Sequence, residues 1–277
     1  MMYPIKRLNG ARVFTYGIAY GVGLIVIIPL VQIVLSSFKS NADIYRGIFF
    51  PRSLLFENYV KVFRDSVALF SFVNSLLICA SAGILIVFLC SLAAYSIARR
   101  REKFFQVLYG LFLSAMIIPP VATLVPLYSL VVKARLYDTR LALILLYTAT
   151  SIPMGILMYS SFIKTVPMSL EEAAMIEGAG YFQRFFLIVF PLLRSITVSF
   201  VVLRIPGIWN DFLFPLLLLR SKWKKTITLM VYAFTREHEA DSGAIFALLV
   251  LAALLPMLFF IFTHKTVYRS IAGSVKG

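Results

Sequence analysis

Charge is what this sequence lacks most. Only 14% of its 277 residues are Asp, Glu, Lys or Arg, while 61% are apolar and the mean hydropathy is +0.91. An ordinary soluble domain carries about a quarter charged residues, so a water-solvated fold is excluded and lipid becomes the expected solvent. Acids are the scarcer sign, 12 against 27 Lys and Arg, for a net charge of +15. In so apolar a chain this excess reflects basic loops meeting anionic headgroups. No basic helix interleaved with aromatics stands outside the apolar runs, which argues against nucleic acid as a partner.

Cysteine is nearly absent too. Cys79 and Cys90 lie eleven residues apart in one apolar run. On a helix that is about 16 Å, beyond the roughly 7 Å that a disulfide bridges, so both read as inert packing residues. The dipeptide Gly-Lys never occurs, and with it the Gly-x-x-x-x-Gly-Lys-Ser/Thr phosphate loop is missing; the chain is not itself an ATPase of that kind. No catalytic cluster stands at depth, so the chain is not read as an enzyme. His238 sits among Glu237, Glu239 and Asp241, but without ligand spacing these read as a solvated loop and no metal site is expected. Internal repeats and in-span acidic or histidine relays are also missing, which disfavours a secondary carrier driven by an ion gradient.

What the chain does contain is long apolar runs. The first, 26 uncharged residues from Val13 to Phe38, is too long for the 7–15-residue core of a signal peptide and reads as a retained span. Spans are expected at about 13–38, 68–98, 104–132, 141–163, 185–208 and 242–264, each long enough for the ~20 residues that cross a bilayer, the second long enough for a helical extension beyond it or a strong tilt. Pro119-Pro120 and Pro126 should kink or break the third. Residues 1–277 are read as a single transmembrane domain, all-α.

One polar stretch interrupts this pattern, Pro167 to Pro191. Ser169 and Glu172 have capping-box spacing behind Pro167. Gly178 is the natural helix stop, because glycine takes a left-handed backbone without steric cost. Ala173 and Ala174 would let another surface approach closely.

Glu172, Ala173, Ala174, Gly178, Ile188 and Pro191 together resemble the EAA loop of the membrane subunits of binding-protein-dependent ABC importers; Glu177 stands where that family usually has Asp. Phe56-Glu-Asn-Tyr59, Phe72-Val-Asn-Ser75, Ala93-Ala-Tyr95, Ile118-Pro119, Trp209-Asn-Asp-Phe212 and the ending Ile271–Gly277 look like the carbohydrate branch, similar to the smaller permease of the maltose importer. Arg194 and Arg204 depart from it. The resemblance implies a six-helix type I permease bundle in the bacterial or archaeal cell (inner) membrane, with both termini and the coupling loop 165–183 cytoplasmic. Charge counting does not settle orientation alone: with the amino terminus inside, inner segments hold 12 Lys or Arg and outer segments 13.

The resemblance further implies partners: a second homologous permease, two ATPase subunits that hold ATP and Mg, and an extracellular or periplasmic sugar-binding protein. Glu171, Glu172, Ala173, Ala174, Glu177, Gly178 and Ala179 would couple to the ATPase. The function implied is import of a sugar, an oligosaccharide, with an anionic sugar or another small polar solute as the alternative.

Three groups of residues remain open from chemistry. Arg204 either lines the translocation path or snorkels to headgroups, and Arg194 would pair across the subunit interface. Trp209, Asn210 and Asp211 suit sugar hydroxyls and a sugar's apolar face, or else cap the helix end. Lys222, Lys224, Lys225 and His238 lie in the outer connection that, by analogy, touches the binding protein.

Overall fold

The structure, a computed structural model, describes Gly10–Glu237 and Asp241–Ser274; His238 and Glu239 lie outside the described residues. It is helical, with no strand among the described residues. Two compact units emerge, Met1–Asp65 with Ala233–Ala252, and Ser66–Tyr232 with Ala253–Gly277.

The first unit is built on α1 (Gly10–Ser36), α2 (Asn41–Tyr45) and α3 (Glu57–Arg64). Its first helix leaves the most apolar stretch of Tyr16–Ser36 unburied within the chain, which lipid tolerates because the helix satisfies its own backbone. Asn58 closes the end of α1: its Nδ2 donates to the carbonyls of Ser37 (2.9 Å) and Lys39 (3.0 Å). The hydroxyls of Tyr59 and Ser37 meet at 2.7 Å, and Phe56 packs edge-on against Phe38. Lys39 is fully buried beneath this clasp with its Nζ 3.4 Å from Ser36 Oγ; burial holds its ammonium below the ordinary lysine range, partly offset by Asp43. Asp241 pairs with Lys61 at 2.8 Å.

The second unit centres on α4 (Ser66–Arg99), which is 34 residues long, and α7 (Arg140–Ile163). They run parallel, Cys90 meeting Ile152 and Arg99 meeting Val166 in the same order, and touch where Gly155 meets Cys90: a Cβ on Gly155 would collide with Cys90 Sγ and with the Phe200 ring. Without a hydrophobic drive between helices in lipid, such small-residue contacts are what hold spans together. Both cysteines are buried and unpaired, as the spacing requires.

Between these helices lies the stretch expected as a third span. It is divided into α5 (Lys103–Ala115), a 3₁₀ turn at Pro120–Thr123, and α6 (Leu124–Lys133). Pro119 is extended, ψ 134°, because the ring of Pro120 disfavours helical backbone in the residue before it.

After α7 come α8 (Met168–Ile176), α9 (Tyr181–Arg184), a π-helical turn at Phe185–Val189, α10 (Phe190–Leu192) and α11 (Arg194–Trp209). The expected fifth span is therefore not one straight helix. Tyr181–Leu192 and Arg194–Trp209 meet at 70°, just after Pro191, which lacks an N–H and cannot continue the ladder. Arg194 is thereby exposed at the start of an apolar helix instead of lying nine residues inside one. The chain ends with α12 (Leu213–Leu218), a 3₁₀ turn at Lys222–Lys224, α13 (Ile227–Glu237) and α14 (Ser242–Ser274). Among the described residues, four helices are long and apolar enough to cross a membrane, or five with the bent pair.

The Gly155 contact yields a test. Gly155→Leu forces its side chain into Cys90 and Phe200, a misfit of about 1–3 kcal/mol. The thermal midpoint of the detergent-purified protein should fall by several degrees; an unchanged midpoint would contradict this α4–α7 packing.

Candidate functional site

The polar stretch folds into α8, whose start differs from expectation. Pro167 occupies the N-cap position (φ −56°, ψ 129°) and no side chain caps the helix. Ser169 is consequently inside the first turn, so the Ser169–Glu172 capping box does not form. The far end matches its prediction. Gly178 takes φ +87°, its N–H donates to Met175 O (3.0 Å), and Ala179 N donates to Ala174 O (2.9 Å). These two bonds make a Schellman stop.

The faces of α8 divide sharply. Glu172, Ala173, Glu177 and Gly178 are exposed, Ala174 and Ala179 half-buried. Met175 and Ile176 join the open face, Ile176 with 88% of its surface exposed. Glu171 points the other way and is only 1% exposed. Its Oε2 accepts from Tyr95 Oη (2.6 Å) and its Oε1 from Arg99 Nε (2.7 Å). Arg99 also donates through Nη2 to Val166 O (3.0 Å). One guanidinium thus holds both the approach to α8 and its first turn. Ser96 and Tyr181 hydroxyls, 2.9 Å apart, extend the attachment to α9. Glu171, expected among the partner-facing residues, is an internal anchor. Its companions Tyr95 and Arg99 stand in the sequence only as the end of the Ala93-Ala-Tyr95 motif and as the first of the run Arg99-Arg-Arg-Glu-Lys103.

The opposite ends of α4 and α7 hold the segment that carries the lysines. Asn74 Nδ2 donates to the carbonyls of Trp223 (2.8 Å) and Lys225 (3.0 Å), and Ser75 Oγ accepts from Ile227 N (2.8 Å). Asp138 Oδ1 accepts from the amides of Arg220 (2.9 Å) and Ser221 (3.0 Å); Oδ2 accepts from Ser221 Oγ and from Lys224 Nζ (3.1 Å). Burial alone would raise the Asp138 carboxyl, but these bonds outweigh it and hold it well below the usual carboxylate range. Lys224 is committed inward, Lys225 is half-buried, and Lys222 is exposed over the Trp223 ring at 5.3 Å. His238 lies outside the described residues.

Between the two ends, toward that of Asp138, a cavity of about 600 Å³ opens among α5, α6, α7 and α11. Apolar Met154 and Phe214 share its wall with Tyr147, Thr150, Arg204 and Asp211. Arg204 is half-buried, its Nε donating to Ser151 Oγ at 3.0 Å. Asp211 accepts from Tyr147 Oη (2.7 Å) on Oδ2 and from Leu213 N (3.1 Å) on Oδ1. It both holds the first amide of α12 and faces the cavity. Asn210 is exposed. Trp209, expected on the path, is instead buried edge-on against Phe72, its carbonyl accepting from Thr228 Oγ1; an indole has more to gain from packing than from a wet lumen. Among the described residues no group of three His, Cys, Asp or Glu is arranged to hold a metal.

A family model described as binding-protein-dependent transport system inner membrane component matches residues 86–273. The melibiose/raffinose/stachyose import permease protein MelC of Bacillus subtilis is 35% identical over 253 residues, covering 90% of this chain and 91% of that one. The diacetylchitobiose uptake system permease protein NgcG of Streptomyces coelicolor is 33% identical over 255 residues, covering 91% and 83%. Among solved structures, a chain of a bacterial ABC transporter involved in the import of the acidic polysaccharide alginate superimposes with a TM-score of 0.78 at 19% identity, covering 95% of this chain and 99% of that one. At that identity the likeness is one of fold.

Two measurements probe these anchors. Tyr95→Phe removes a hydrogen bond to a buried carboxylate and should cost about 1.5–3 kcal/mol. Combined with Glu171→Gln it should cost less than the sum, since the two share one bond; strict additivity in thermal melts would break the proposed pairing. Asp138→Asn should cost on the order of 2 kcal/mol at pH 7. Because the folded carboxyl titrates below its unfolded value of about 3.9, its contribution is complete above that value and is lost as pH falls through the depressed one. The gap between wild type and variant should therefore narrow below about pH 4; a constant gap would refute the charge-based account.

Proposed function

The chain belongs to the family of binding-protein-dependent transport system inner membrane components, and from that membership we propose that it is one permease subunit of an ATP-driven sugar importer, forming half of the translocation path. It works beside a second, homologous permease. ATP and Mg are held by two separate ATPase chains, and an external sugar-binding protein delivers the substrate, an oligosaccharide. Both termini and α8 face the cytoplasm; the Lys222–Lys225 turn faces outward, where Lys222 is the exposed candidate for the binding protein.

One observation carries the coupling role of α8. Its outward face combines a free carboxylate, small side chains and exposed Met175 and Ile176, while its inward face is tied to α4 through Glu171. A helix fixed on one side and open on the other can seat in a cleft of a partner and carry that partner's movement back as a rigid element. Coupling of this kind requires that the partner's grip differ between states. Glu172, Ala173, Ala174, Glu177, Gly178 and Ala179 are then the contact set. The cavity lined by Arg204 and Asp211 is this chain's share of the solute path, with Asn210 beside it and Trp209 supporting it from behind.

Glu172→Lys reverses the charge of the open face without touching the anchor. The complex should still co-purify, while sugar uptake in proteoliposomes should fall at least tenfold. Full uptake by that variant would remove α8 as the lever.

A further inference from the structure

The reading of the chain as a sugar permease leaves the chemical class of the sugar open, and the cavity addresses it. An arginine inside an apolar span is costly, by roughly 2.5–3.5 kcal/mol on insertion scales, and is kept where something answers its charge. Among the described residues no acid pairs with it. The Nε of Arg204 is used by Ser151, but its Nη1 and Nη2 have no hydrogen-bond partner, and no carboxylate lies within 4.0 Å, among the described residues. The nearest acid in sequence, Asp211, lines the same cavity, but its oxygens accept from Tyr147 and from Leu213 N and it forms no ion pair with Arg204.

The open Nη1/Nη2 edge is the part of a guanidinium that accepts a carboxylate in bidentate fashion. Arg204 lines a space of about 600 Å³, within the range of small-ligand pockets. Tyr147 and Phe214, crossed at 80° with centroids 6.3 Å apart, give that space an aromatic wall for the C–H side of a sugar ring. Tyr147 Oη and Thr150 Oγ1 retain acceptor capacity for hydroxyls.

We propose that Arg204 is the carboxylate-binding residue of a substrate subsite in this permease, and that the imported sugar is an acidic one, a uronate-containing oligosaccharide. Ser151 holds the guanidinium in register. Asp211, held by Tyr147 and by Leu213 N, makes no ion pair with Arg204, so the guanidinium edge stays available to the solute.

The experiment uses the full complex, with its second permease, ATPases and binding protein, in proteoliposomes. Uptake and ATPase stimulation are measured with di- to tetrasaccharides of galacturonate, glucuronate and mannuronate, each beside its carboxyl-reduced neutral counterpart. At least one uronate should be taken up and its reduced form should not. Arg204→Gln should raise the half-saturating uronate concentration tenfold or more. Arg204→Lys, which keeps the charge and loses the fork, should fall between. Uptake of neutral sugars with uronates ignored would overturn the inference while leaving the sugar permease standing. Dissociation of the complex in Arg204→Gln, or equal loss for every substrate, would assign Arg204 to a carboxylate of the partner permease and equally overturn it. Response to no saccharide would defeat the sugar reading and the inference together.

Discussion

A carboxylate with 1% of its surface exposed has to be answered by hydrogen bonds and charge, or it would not stay ionised and buried. Glu171 imposes that condition on everything around it. Its partners must come from a neighbouring helix, and they do: Tyr95 and Arg99 sit four residues apart on α4, on one face of the helix. Since Arg99 also takes the Val166 carbonyl, the turn between α7 and α8 is pinned at both ends. The orientation of α8, and with it the direction in which Glu172 and Ile176 point, follows from a buried ion pair. Such a pair adds little net stability over a well-packed apolar contact, but removing one member costs several kcal/mol. Its contribution lies in fixing one geometry.

The same logic runs through the short motifs that first tied the sequence to a family. Phe56-Glu-Asn-Tyr59 closes the end of α1, with Asn58 on two carbonyls and Tyr59 on Ser37. Phe72-Val-Asn-Ser75 packs Phe72 on Trp209 and uses Asn74 and Ser75 to hold the lysine-bearing segment. Tyr95 grips Glu171, and Asp211 grips Tyr147 while holding the first amide of α12. Apart from Tyr95, which holds a buried carboxylate, each motif is a polar clasp for backbone that leaves the helical pattern. In lipid such backbone survives only where protein groups satisfy it, so clasps are the least dispensable side chains in the chain.

That distinction explains what the sequence made legible. Apolar runs announce helices because period and length are local properties, and Gly178 announces a stop because only glycine rests easily at φ +87°. Pro119-Pro120 announced its break for an equally local reason. The Ser169–Glu172 spacing misled because a capping box needs the serine at the boundary, and Pro167, with its preset φ, had already taken that position. Arg194 looked deep because nothing local told that the helix would turn 70° after Pro191. Whether Glu171 or Glu172 faces inward is a matter of rotation set by contacts with α4, 72 and 76 residues away along the chain. The partners of Arg204 and Asp211 were hidden likewise, since Ser151 and Tyr147 belong to another helix.

The distribution of regular and broken helix within the second unit bears on how a movement of α8 could reach the cavity. α4 and α7 are continuous over 34 and 24 residues and locked at Gly155–Cys90, too close for a single added methyl group. They form a rod with the α8 anchor at one end and the Asp138–Ser221 clasp at the other. The cavity borrows one wall from that rod, through Tyr147, Thr150 and Met154, but takes the rest from elements beside a break: α5 and α6 around Pro119-Pro120, and α11 beyond the bend at Leu193. A helix interrupted by proline has fewer backbone bonds resisting rotation at that point than an intact one. Displacing the rod would therefore change the cavity chiefly by hinging its other walls. Because Arg204 hangs on Ser151 of the rod while belonging to α11, it joins the rigid and the hinged parts, and a group bound to its open edge would feel, and bias, the difference between their arrangements.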